Sequence, residues 1–182
     1  MTPAPPRDRW LLFRRPLLLV FFLGCGVSLL ASGRLTPRLI LDGAISFAFV
    51  PVLEAAAFAI VYRLAARSHG VPFARAMDLF FATNVPWLMM LVALAALAVF
   101  QPQRQVATWS VPPKLWLLAG AAVLTIAWSA WLDFAFFRST LRRSPKAAAR
   151  DVIVMRGIAW TLGAVYFLGF AIWPSIVALG RR

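Results

Sequence analysis

Five apolar runs divide the chain, at residues 16–33, 39–62, 77–100, 115–137 and 157–179, and the stretches between them are short and basic or rich in proline. At about 1.5 Å per residue, each run makes a helix long enough to cross or nearly cross a ~30 Å hydrocarbon layer. The pattern predicts an all-α, polytopic transmembrane helical bundle with five spans. It reads as a basic tail over residues 1–15, short and poorly ordered, followed by a single five-helix transmembrane domain over residues 16–180. In the first run Gly24, Ser28 and Ser32 recur every fourth position, a face on which a neighbouring helix can pack closely.

Polar positions inside the runs carry the most information. Glu54 precedes Arg63 by nine residues and Asn84 follows Arg75 by nine, so the two lie at a common depth of ~13 Å from the basic loop that joins the second and third runs. Pro51 and Pro86 are also nearly level, at twelve and eleven residues from the same arginines. A proline inside a helix removes one backbone bond and bends the rod. Glu54, Asn84, Pro51 and Pro86 therefore form a candidate intramembrane polar site within a helical hairpin, and Glu54 and Asn84 are expected to meet.

Composition narrows the class. Of 182 residues 62% are hydrophobic and 14% charged, with mean hydropathy +0.80, far from the balance of a soluble domain. The net charge of +13 does not point to nucleic acid, because the basic residues cap the apolar runs instead of forming one stripe. Thirteen of them fall in the tail and in the loops after the second and fourth runs, against six in the other three segments. Positive charge holds loops inside, so the N-terminus is expected in the cytoplasm and the C-terminus outside. The first run has a second reading as a cleaved signal, since Ala31-Ser32-Gly33 resembles a small-residue cleavage site; the long bundle that follows favours a retained helix.

An ionised carboxylate at mid-depth is costly unless it is neutral, paired or facing water. Glu54 thus admits two readings, an interhelical clamp with Asn84 or a proton- or cation-linked site. Asp78, Asp133 and Arg156 lie near the basic ends of their runs and allow a cytoplasmic-interface charge cluster, with snorkelling at the interface as the simpler reading. Arg142, Arg143, Lys146 and Arg150 make the most basic loop, a candidate surface for anionic lipid, and a short surface helix is expected after Pro145. Trp87, Trp128 and Trp131 are expected to pack inside the bundle.

Catalytic sets fail on geometry. Ser28 and His69, the single histidine, lie toward opposite faces of the predicted bundle, and no two aspartates share a central depth. Cys25 is the sole cysteine, which excludes an internal disulfide and a thiolate metal cluster. Neither metal nor cofactor is expected, and no enzymatic activity.

From about Val71 to Val177 the order of features resembles the Ypt-interacting-protein (YIP) family of small five-span membrane proteins. The carriers are Gly70-Val71-Pro72-Phe73 with Arg75 and Ala76, the break Asn84-Val85-Pro86, the run Ile126-Ala127-Trp128, and the basic loop before the last run. The cytoplasmic domain and acidic-tyrosine motifs that eukaryotic members use with small GTPases are absent, so GTPase binding is not implied. The resemblance implies a non-enzymatic protein of membrane organisation, partnered with the bilayer and its anionic lipids, with another membrane protein or with its own copies. A bacterial inner (plasma) membrane fits the short tail and Arg-rich loops. The alternative is a small transporter or channel subunit built on Glu54.

Overall fold

The computed structural model describes residues 6–65, 70–100 and 112–179. Among them every regular element is helical, and five helical stretches are long and apolar enough to cross a membrane: Arg9–Ser32, Pro37–Leu64, Phe73–Leu97, Trp116–Ser139 and Pro145–Gly169. The outer loop at 101–111 and His69 lie outside the described residues.

The first span is one helix, α1 (Pro6–Ser32), which runs through Pro16. Segment 1–15, expected as a loose tail, is therefore helical from Pro6 onward, because Arg14 and Arg15 find an acidic partner on another span. Span two is broken in two, α2 (Pro37–Phe47) and α3 (Phe49–Ala65), with a turn at Ala48. Pro51 has no N–H to give the carbonyl of Phe47, the last residue of α2, and the rod parts at that point. Span three is broken in the same way: α4 (Phe73–Phe81) passes through a 3₁₀ turn at Ala82–Asn84 into α5 (Val85–Phe100). Pro86 cannot donate to the carbonyl of Ala82, and the Val85 N–H takes that carbonyl in the tighter pattern. Spans four and five are α6 (Pro112–Ser139) and α7 (Pro145–Leu179). No separate surface helix follows Pro145, since nothing interrupts the backbone ladder between that residue and the fifth span.

The spans close into a ring. α1 packs against α2 on one side and against α4 and α5 on the other; α5 meets α6, α6 meets α7, and α7 returns to α3. Span two thus touches span one with its first half and span five with its second. Two glycines make the α1–α2 approach possible: a methyl group on Gly24 would lie 2.3 Å from the carbonyl of Ile40, and one on Gly43 would lie 2.8 Å from the Val27 side chain. Ser28 then ties the turn that follows, its hydroxyl donating to the carbonyl of Arg34 at 2.8 Å, while the Ser32 hydroxyl lies 2.8 Å from the carbonyl of Ser28 and 3.0 Å from that of Arg34, its one proton serving either. Gly33 adopts φ +68° there, a conformation glycine reaches without strain.

The core sits at the end of the ring where Arg15, Arg63, Arg75 and Arg138 lie, hereafter the basic end. Phe58 of α3 is fully buried and stacks on Phe80 at 4.6 Å, with Phe73 and the edges of Phe136 and Phe137 around it. Leu141, Ala148 and Met155 carry this core past the end of α6 into the first turns of α7. Trp128 and Trp131, expected inside, are 44% and 65% exposed on the outer face of α6. An indole is too large for the small-residue helix contacts of this ring, and the lipid-facing side accommodates it.

Candidate functional site

Three spans converge on the 3₁₀ turn of span three. Its residues Thr83 and Asn84 are adjacent, and their side chains leave the turn toward different neighbours. The Asn84 amide Nδ2 donates to Oε2 of Glu54 on α3 at 2.9 Å. The Thr83 hydroxyl lies 2.7 Å from Oδ1 of Asp133 on α6 and 2.7 Å from the carbonyl of Phe80, and its one proton serves either acceptor. Glu54 and Asn84 are thus brought together, beside buried Pro51 and Pro86. Both prolines act at one remove: they break their helices four residues upstream, and in span three the break sets the direction of Thr83 and Asn84.

Asp133 has no exposed surface and is the centre of a second group. Arg156 of α7 donates to its Oδ2 from both Nε, at 2.8 Å, and Nη2, and Nη2 also donates to the Ser129 hydroxyl at 2.6 Å. Thr83 and Asn84, neighbours on the 3₁₀ turn, bring the two groups side by side. The result is a layer of polar side chains from four spans: Glu54 on span two, Thr83 and Asn84 on span three, Ser129 and Asp133 on span four, and Arg156 on span five.

Asp78 does not belong to this layer. The expected cluster of Asp78, Asp133 and Arg156 is two separate groups, because Asp78 on α4 faces α1 while Asp133 faces α7. Arg14 grips Asp78 with both oxygens engaged, Nη2 to Oδ2 at 2.9 Å and Nε to Oδ1 at 3.3 Å, and Arg15 adds a contact at 3.2 Å. This forked geometry is the strong form of an arginine–carboxylate pair. Snorkelling accounts for neither aspartate, since both are buried and held by arginines from other spans.

The basic loop is also less open than its charge suggests. Asp151, which sequence reasoning passed over among the arginines, is buried and takes Arg143 at 2.7 Å and Arg150 at 3.2 Å. Of the four residues expected to meet anionic lipid, Arg143 is drawn in against this carboxylate, Arg150 touches it yet keeps its side chain 68% exposed, and Arg142 and Lys146 are exposed. Arg142 stands at φ +51°, a left-handed conformation that reverses the chain between α6 and α7. The sequence signal for Asp151 was its spacing, eight residues after Arg143 and six residues, more than a turn and a half, into a helix that starts at Pro145.

Comparisons with protein-family models, with curated proteins and with solved structures find no match.

Proposed function

We propose that the chain is a non-enzymatic, multi-pass membrane scaffold of YIP-like layout, seated in an inner (plasma) membrane with its basic end in the cytoplasm and its C-terminus on the opposite face. The observation that carries this reading is the polar layer itself. Glu54 with Asn84, and Thr83 with Asp133, Arg156 and Ser129, form two hydrogen-bonded groups that meet at the adjacent residues Thr83 and Asn84 and together tie four spans, and the large cavity of the bundle is lined by apolar side chains that include none of them. A layer of this kind fixes the helices in one arrangement, which suits a protein that presents surfaces to lipids and to membrane partners. Arg142, Lys146 and Arg150 are the exposed cations it offers to anionic headgroups at the basic end, and other copies of the chain or another membrane protein are the partners its layout suggests.

The two broken spans favour a second reading, a small transporter or channel subunit. Breaks near mid-depth in adjacent antiparallel helices, with an acid and an amide beside them, are the arrangement in which secondary transporters hold ions. One experiment separates the two. In vesicles loaded with a pH-sensitive dye, the scaffold admits protons or alkali cations no faster than empty vesicles do, and Glu54→Gln changes nothing. Flux carried by the wild type and abolished by Glu54→Gln, with the fold intact, establishes transport and overturns the scaffold. A reporter active only in the cytoplasm, fused after Arg182, tests the orientation and is expected to be silent.

A further inference from the structure

Opposite the basic end the ring is open on one side. A cavity of about 880 Å³ lies between α1 and α5, walled by Phe22, Cys25 and Leu29 on one helix and by Val92, Ala96 and Val99 on the other. Its lining is almost wholly apolar, and Val92, 62% exposed, stands at its membrane side. From Val85 to Val99 the wall runs fourteen residues along α5, about 21 Å, which exceeds the ~15 Å depth of one leaflet's hydrocarbon. The groove ends at Leu35, in the turn between α1 and α2, with Arg34 beside it and Arg38 one turn further on. That turn is built to a fixed shape. Gly33 reverses the chain, Arg34 has its carbonyl held by the Ser28 hydroxyl, and the Thr36 N–H donates to that same buried hydroxyl at 2.8 Å. Arg34 and Arg38 are exposed, and Asp42 is 4.0 Å from Arg38, so the rim keeps a net positive charge.

From the length of the groove and the charge at its end we infer that it seats one acyl chain of an anionic phospholipid, with the headgroup phosphate on Arg34 and Arg38, in the leaflet away from the basic end. The inference is independent of the scaffold reading. A transmembrane helix is the poorer fit, because Phe21, Phe22, Leu88 and Met89 stand among the small residues of the groove and Leu91 already fills the space against Gly26, whose added methyl would lie 2.6 Å from it.

The test uses the full chain in nanodiscs that hold equal mole fractions of phosphatidylglycerol and phosphatidylcholine, one of them carrying a diazirine on its acyl chain, with crosslinked peptides mapped by mass spectrometry. Labelling is expected on residues 22–35 and 85–99, with phosphatidylglycerol favoured about fivefold. The double substitution Arg34→Gln with Arg38→Gln should bring the two lipids level while the label stays in the groove. Ala96→Phe should remove the label with both lipids, and Ala96→Leu, gentler on the fold, should reduce it. Equal labelling by both lipids in the wild type overturns the headgroup assignment. Label that survives Ala96→Phe, or falls elsewhere, overturns the chain assignment. Chain-to-chain products through residues 22–35 or 85–99 give the groove to a second copy and overturn the lipid altogether.

Discussion

The two ends of the bundle are held together by different means. At the basic end, Phe58, Phe80, Phe136 and Phe137 interlock and three aspartates are bound by arginines from elsewhere in the chain. At the other end α1 and α2 approach closely at Gly24, against the Ile40 carbonyl, and at Gly43, against Val27, and a large apolar space stays open between α1 and α5. In water such a space would weaken the fold strongly, since apolar surface seeks burial. Inside a bilayer lipid tails are as apolar as leucine, so helices gain from packing and polar bonds alone. Dense packing is therefore needed only where the polar groups must be held in register, and the apolar end tolerates a groove.

Breaking the polar end should give the largest effect. Asp133→Ala strands the Arg156 guanidinium inside the bundle and is expected to destabilise it by about 3–5 kcal/mol in a reversible detergent-unfolding assay. Asp133→Leu combined with Arg156→Leu should recover most of that loss, because neither charge then remains buried. A recovery of less than half would show that Thr83 and Ser129 hold the spans as much as the ion pair does. Phe58→Ala should cost about 3 kcal/mol by leaving a cavity among five rings. Its counterpart at the open end, Val92→Ala, should change stability by less than ~0.5 kcal/mol. Equal costs at the two sites would abolish the contrast between the ends.

The Gly24→Ala substitution tests the closest of the glycine contacts between α1 and α2 and should cost about 1–3 kcal/mol, since the added methyl meets the Ile40 carbonyl, which backbone cannot yield cheaply. Glu54→Leu removes the acceptor of Asn84 and should cost about 1–2 kcal/mol, whereas Glu54→Gln keeps a partner and should cost less than half as much. Crosslinking of cysteines introduced at 54 and 84, in a Cys25→Ser background, checks the geometry beneath this pair. Opposite in sign is Arg142→Gly, which relieves a left-handed residue and should stabilise by about 0.5–1 kcal/mol while removing one exposed cation.

The hairpin was legible because depth can be counted: nine residues on either side of a basic loop place Glu54 opposite Asn84 whatever the rest of the bundle does. Both helix breaks were legible from proline chemistry. The partner of Asp78 was not. Its arginines lie in a segment whose three prolines and high charge read as a loose tail, and only tertiary contact with α4 explains why α1 is helical from Pro6. Phe58 was equally invisible, since an aromatic within a uniformly apolar run carries no periodic signal of which face is inside. The α1–α5 groove depends on the angles at which helices cross, which no residue pattern in this chain states.

Chain order in the polar layer has a consequence for biogenesis. Glu54 is synthesised thirty residues before Asn84, and Asp133 twenty-three before Arg156. At about 5–20 residues per second each carboxylate waits roughly one to six seconds for its partner. A span that entered the bilayer alone would carry an unpaired acid into hydrocarbon, so the economical route inserts spans two and three together, and then four and five. Asp78 is the reverse case. Arg14 and Arg15 precede it by more than sixty residues and wait at the membrane surface, where a cation is at ease, so that the first span can be laid down by itself and the two later hairpins assembled against it.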